Sequence, residues 1–208
     1  DIDKGDHGDY ITGLCPMGDR LLVFKSNSVH SVFGFDSDSF QVVTLSNDVG
    51  SVPLSSPIAT PFGVFFWYAD QGAYLYNREG FVWVFDKMSP AVDDGRISFG
   101  TNPQLGWGNN KLYVSVDWTD GGSTTRRTLI YDPTIAGGAW TTTDIDAAAM
   151  YSYRPPNNSS TVYGACVAHT GVLIDVEDEQ NRSTDRYASS AETHISSYFV
   201  TRWVSGKN

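Results

Sequence analysis

The densest chemistry in the chain is acidic. The opening run Asp1-Ile-Asp-Lys-Gly-Asp-His-Gly-Asp9 spaces carboxylates in the way a hard-cation loop does. An EF-hand loop, however, requires Asp or Asn where Gly5 stands, Gly where Asp6 stands and Glu where Thr12 stands. The run therefore reads as a solvated acidic turn in preference to a calcium site. Asp175-Val-Glu-Asp-Glu179 gathers four carboxylates in five residues. It closes a strand-like segment ahead of the polar Gln180-Asn-Arg-Ser-Thr184, and a solvated surface accounts for it. His7, His30, His169 and His194 share no metal-ligand spacing, and neither His-x-x-x-His nor Cys-x-x-Cys occurs. No metal and no cofactor is expected.

Nucleophile chemistry fares no better. A Gly-x-Ser-x-Gly elbow and Gly-rich phosphate loops of Walker or Rossmann type are absent. A carboxylate pair for glycoside hydrolysis needs only proximity in space, but nothing singles out two of the 24 acidic residues. Six Trp residues could stack on sugar rings. Trp67, Trp83 and Trp140 lie within strand-like runs and are expected in the core. Trp107 and Trp118 flank loops and are the candidate exposed platforms for a glycan or protein partner, with Asp117 and Asp120 as neighbouring polar groups. Cys15 and Cys166 stand far apart in apolar contexts and read as buried free thiols. The Asn157, Asn158 and Asn181 sequons mark surface loops.

The elements that must position such groups are strands. Helical periodicity is nearly absent, and Ala147-Ala-Ala-Met150 is too short for a stable helix. An apolar strand, a turn and a second strand ending in an apolar residue plus Asp or Asn recur four times. The units are Arg20–Phe24 with Val29–Asp36, Gly63–Trp67 with Ala73–Asn77, Asn110–Val116 with Thr128–Asp132, and Thr161–Val167 with Val172–Asp175. Their closing Asp or Asn residues are 41, 55 and 43 positions apart, the spacing of four-stranded propeller blades. Third strands are expected over Phe40–Leu45, Phe81–Phe85 and Ala139–Thr143, and the third unit carries a long loop from Asp120 to Thr125. Apolar residues on both faces of each first strand suit a strand covered on either side. Leu22, Val23, Phe65, Phe66, Leu112, Val114, Leu129, Ile130 and Leu173 are the expected core. The fold class is all-β, a β-propeller-like array of four-stranded antiparallel blades, with a β-sandwich as the alternative. Residues 1–208 read as one such domain cut from a longer chain, with 186–208 supplying closing strands or an exit to a further domain.

Composition narrows the partners. Lys plus Arg total 14 against 24 for Asp plus Glu, a net charge of -10. Such a surface does not grip phosphate backbones. The longest apolar stretch, Phe62–Ala69, is far shorter than the roughly 20 residues a membrane-spanning helix needs, and no signal peptide opens the chain.

Several of these words occur together in an order that resembles a known family. Asp9-Tyr-Ile-Thr-Gly-Leu14, Gly18-Asp-Arg-Leu-Leu-Val-Phe24, Ser28-Val-His-Ser-Val-Phe-Gly34, Val49-Gly50 and Ser55-Ser-Pro57 are followed by Gly63-Val-Phe-Phe-Trp67 and Asp70-Gln-Gly-Ala-Tyr74. The run is similar to the β-propeller domain of tailed-bacteriophage tail proteins of the nozzle, hub or adaptor kind. The likeness covers residues 9–85 most clearly and the units up to 175 more loosely. It departs from the family pattern at Val49-Gly-Ser-Val52, which carries no Cys, and at Asp120–Thr125. The word Tyr131-Asp-Pro133 followed by Trp140 is also kelch-like. The resemblance implies a non-enzymatic virion protein of the tail, ring-forming around the DNA channel, with copies of itself and other tail proteins as partners and no catalytic residues to carry over. The rival readings are a carbohydrate-binding propeller that recognises a host-surface glycan and, more weakly, a glycosidase.

Overall fold

Apolar runs punctuated by Gly, Asn and Asp turns fold into antiparallel strands throughout, and the chain is all-β. The computed structural model describes residues 8–36, 38–53, 55–98, 103–143, 145–153, 163–168, 173–175, 184–186, 192–194 and 197–200, as backbone alone from 153 onward. Two compact units divide at Phe85 and Asp86.

The first unit holds two four-stranded meanders. One is β1 (Ile11–Met17), β2 (Arg20–Lys25), β3 (Val29–Phe33) and β4 (Gln41–Ser46), and the other is β5 (Ile58–Thr60), β6 (Gly63–Tyr68), β7 (Gly72–Asn77) and β8 (Gly80–Trp83). Their connections are tight. Gly18, at φ 64°, turns β1 into β2. Asn77 turns β7 into β8 by accepting hydrogen bonds at Oδ1 from the N–H groups of Glu79 (3.1 Å) and Gly80 (3.2 Å). The sheets meet through Cys15, Leu22, Phe24 and Val29 on one side and Val64, Phe66 and Tyr76 on the other. Phe24 and Phe66 lie 5.0 Å apart between ring centroids, and Phe66 also meets the edge of Phe81 at 6.0 Å. Val64, Phe65, Phe66 and Trp67 are all buried, which is why β6 reads as an unbroken apolar run and not as an alternation.

The second unit opens with a 3-10 turn, Asp86–Met88, that runs into one helical turn, α1 (Ser89–Asp93). It continues with β9 (Ile97–Ser98), β10 (Gln104–Gly108), β11 (Lys111–Asp120), β12 (Ser123–Asp132) and β13 (Ala139–Thr143), then β14 (Ala147–Tyr153), β15 (Tyr163–Ala168) and β16 (Leu173–Asp175). β17 (Thr184–Arg186) pairs with β18 (Glu192–His194), and β19 (Ser197–Val200) adds to the outer side of β13. β10–β13 form a third four-stranded meander, which β19 beside β13 and β9 beside β11 extend to a six-stranded sheet, and β14–β16 form a three-stranded one. Tyr131 and Trp140, the two aromatics of the kelch-like word, are cross-strand partners with ring centroids 4.9 Å apart.

Three of the four units read from the sequence are therefore present as four-stranded antiparallel meanders, and the fourth has three strands among the described residues; each begins one strand earlier than expected. β1, β5 and β10 precede the apolar strands, and β4, β8 and β13 are fourth strands, not third. β1 and β5 escape pattern reading because they offer little to the core: β5 has three residues, and Cys15 is the one buried residue of β1. β10 is largely buried, but Gly106 and Gly108 break up its apolar run. The expected core residues Leu22, Val23, Phe65, Phe66, Leu112, Val114 and Leu129 are buried. Ile130 is half-buried, and the side chain of Leu173 lies outside the described residues. Trp83 corrects its expectation: it is 41% exposed because it ends the outermost strand of its sheet, and its Nε1–H donates to the Gln71 carbonyl at 2.7 Å. The expected loop at Asp120–Thr125 is a second correction. Gly121 and Gly122 both adopt positive φ, 56° and 83°, and form a two-residue turn between Asp120 and Ser123. Two positive-φ residues give a turn whose twist matches the strands, so β11 and β12 extend through the segment.

Candidate functional site

That long hairpin carries three of the four residues singled out for partner contacts. Leu112, Val114, Val116 and Trp118 alternate along β11 and are buried on one face, while Ser115 and Asp117 belong to the other. The exposed platforms expected at Trp107 and Trp118 are therefore corrected. Trp118 is 8% exposed, with the Arg127 guanidinium laid over its ring at 5.4 Å. Trp107, 4% exposed, is the register partner of Leu112 in β10. Its N–H donates to Ser152 Oγ at 3.2 Å, and the Ser152 hydroxyl donates back to its carbonyl. Six residues of strand separate Leu112 from Trp118, about 20 Å at the usual rise, so the two indoles make no common surface. Their loop-flanking sequence hid the fact that the strands run on through the glycines. Asp120 is exposed at the hairpin end.

Asp117 instead enters a polar row. Arg126 faces it across the ladder with Nη1 3.6 Å from Oδ1, and Arg126 Nε donates to Ser115 Oγ at 2.8 Å. Ser115 Oγ donates to the Ala147 carbonyl (2.7 Å), and Thr128 Oγ1 donates to the Ile145 carbonyl (2.9 Å). These two bonds tie residues 145–147 to the sheet and bring Asp146 beside the hairpin. A cavity of about 560 Å³ results, lined by Thr124, Thr125, Arg126, Arg127 and Asp146. Sequence reading missed all five. Their signal was faint: Thr124-Thr-Arg-Arg127 is a polar run, and Asp146, well beyond it in sequence, is brought beside it by the bonds that Ser115 and Thr128 make. Its lining presents guanidinium N–H groups, a carboxylate and two hydroxyls.

A second constellation sits in the first unit. Asp9 Oδ1 accepts hydrogen bonds from Ser26 Oγ (2.7 Å) and the Asn27 N–H (2.8 Å), and Oδ2 accepts from Ser28 Oγ (2.6 Å). Lys25 Nζ, fully buried, lies 3.7 Å from Oδ2. Ser28 Oγ is 3.0 Å from His30 Nε2, and His30 Nδ1 is 3.1 Å from Thr44 Oγ1. The group contains Asp, Ser and His, but in the wrong order for acyl transfer. The single Ser28 hydroxyl proton goes to the carboxylate, so His30 donates to Ser28 from Nε2 and cannot act as its base. The solvated turn expected for the opening run does not extend to Asp9, which is buried; residues 1–7 lie outside the described residues. Burial raises the Cys15 thiol to about 11, which keeps it protonated and unreactive.

Among the described residues no three His, Cys, Asp or Glu side chains converge as a metal site, and no helix is long and apolar enough to cross a membrane. His7, His169, residues 176–179 and the three sequons lie outside the described residues. No family model matches the chain, and no curated protein is significantly similar to it in sequence.

Proposed function

We propose that this chain is a structural component of a bacteriophage tail, of the nozzle, hub or adaptor kind. In this reading it packs with copies of itself and with other tail proteins in a ring around the DNA channel. The observation that supports it best is the repeated four-stranded meander, built on the segments whose words resemble the tail propeller. Such a meander is a rigid scaffold that leaves loops and sheet faces for neighbours. One such face carries a row of register partners, Pro16, Leu21, Val32 and Val42, that crosses all four strands of the first sheet. Pro16, Leu21 and Val42 are exposed and Val32 half-buried, and a contiguous exposed apolar patch marks an interaction surface. The net charge of -10 suits a conduit through which phosphates must slide without being held. Immunogold electron microscopy of particles from the source, with antibody to this chain, tests the reading. Gold at the tail is expected, and unlabelled particles with sound controls overturn it.

The cavity beside Arg126 and Arg127 favours a second reading, a carbohydrate-binding propeller. It predicts a positive spot on a glycan array that Arg127→Ala abolishes; a silent array retires it.

A further inference from the structure

The fourth strand of the first sheet ends that sheet, and among the described residues no strand pairs with the outer side of β4. Gln41-Val-Val-Thr-Leu-Ser46 contains neither charge nor Pro, the devices that ordinarily blunt a sheet edge. Gln41 to Thr44 are exposed whichever face they project from. The register shift against β3 lies at the far end, opposite Val29 and His30, and leaves the first part of the strand regular. Two aromatics stand just ahead of it, Phe35 at 99% and Phe40 at 61% exposure.

The outward hydrogen-bonding groups follow from ladder parity. Lys25 N–H donates to the Ser28 carbonyl at 2.8 Å and closes the β2–β3 hairpin. Bonded pairs alternate from there, so β3 bonds β4 through Ser31 with Val43 and Phe33 with Gln41. Val42 and Thr44 then turn their N–H and C=O groups away from the sheet.

The fold itself supplies a precedent for what such an edge takes. In the second unit the corresponding fourth strand, β13, is covered by β19, with Trp140 opposite Val200 and Thr143 opposite Ser197 in an antiparallel ladder. Charge selects the partner. Exposed Asp36 and Asp38 precede β4 and exposed Asp48 follows it. Two β4 strands paired antiparallel would set these carboxylates against each other, which disfavours a second copy of the same edge.

We propose that the β4 edge, together with Phe35 and Phe40, is a docking site for an extended segment of a partner protein. That segment has β-branched or apolar residues at alternate positions and Lys or Arg at both ends, and it adds as a fifth strand. The site depends on the edge alone and stands whether or not the chain belongs to a tail.

Fluorescence anisotropy with the full chain and a labelled synthetic peptide of alternating Thr and Val, Lys at both ends, tests it. Saturable binding is expected, weakened about tenfold or more when the end residues are Glu. Val42→Pro removes an outward N–H while sparing the bonds to β3, and it should abolish binding. The Phe35→Ser/Phe40→Ser double variant, altered only at exposed side chains, should weaken it and serves where the Pro variant is unfolded by circular dichroism. No binding to the wild-type chain, equal affinity for the Lys-ended and Glu-ended peptides, or unchanged affinity in a folded variant each overturns the proposal.

Discussion

The Asp9 carboxylate accepts the Ser28 hydroxyl at 2.6 Å and, through it, orients His30. It also lies beside the buried Lys25 ammonium, so one side chain both holds the β2–β3 turn through Ser26, Asn27 and Ser28 and faces a buried positive charge. Asp9→Asn keeps the shape but removes the carboxylate charge that faces the buried Lys25 ammonium, and breaking a buried pair in this way costs about 3 to 5 kcal/mol. Urea denaturation of the two proteins at neutral pH measures the difference.

The same contact sets a pH dependence. Burial alone raises the Asp9 carboxyl, but hydrogen bonds from Ser28, Ser26 and Asn27 and the Lys25 charge outweigh it and hold the native value below 3.8. A carboxyl depressed on folding contributes stability that is complete above its unfolded value and is lost as the pH falls through the native one. The advantage of wild type over Asp9→Asn should therefore be constant above pH 3.8 and shrink below it. An advantage that grows on acidification contradicts the assignment.

These particulars mark what a sequence of this kind reveals. β2, β6 and β11 were legible because burial on both faces writes a largely unbroken apolar run, and Phe65 and Val114 fell in the core for that reason. β1 and β5 were not, since a strand with one core-facing residue or three residues in all leaves no pattern. Asp9 looked like part of a solvated turn because the groups that claim it, Ser26 to Ser28, lie 17 to 19 positions away. Trp118 misled for the opposite reason: Gly121-Gly122 signals a loop, yet two positive-φ glycines also make the tightest hairpin. The cavity was illegible because Asp146 is distant in sequence from Arg127 and is brought beside it by the bonds from Ser115 and Thr128 to residues 145 and 147.

Phe66 is fully buried between the sheets, against Phe24, Tyr74 and Phe81. Phe66→Ala should cost on the order of 3 to 5 kcal/mol. Trp83→Ala, at an exposed edge where one hydrogen bond to the Gln71 carbonyl is lost, should cost about 1 kcal/mol or less. Chemical denaturation of both variants checks the pair, and comparable losses would contradict the placement of Phe66 at the inter-sheet contact.

Cys15 supplies a probe of opening. Its thiol is buried and raised to about 11, so in a Cys166→Ser background a disulfide reagent at pH 8 should react only as fast as the first unit unfolds. Adding urea below the transition should accelerate labelling, and Phe66→Ala should accelerate it further. Immediate reaction in the native state contradicts the buried thiol.

Two glycines separate steric clash from backbone strain. A Cβ on Gly50 would stand 2.4 Å from the Lys25 carbonyl oxygen and from the Ser26 backbone, in the turn that Asp9 holds. A Cβ on Gly121 would meet nothing within 4 Å, but the residue has φ 56°. Gly121→Ala should then cost only the left-handed penalty, about 1 to 2 kcal/mol. Gly50→Ala must push the β2–β3 turn away from residue 50, loosening the hydrogen bonds from Ser26 and Asn27 to Asp9, and should cost more. Thermal melts rank the two, and hydrogen exchange at the Asn27 amide distinguishes the mechanisms. Its protection falls in Gly50→Ala and stays unchanged in Gly121→Ala if the clash acts through the Asp9 turn.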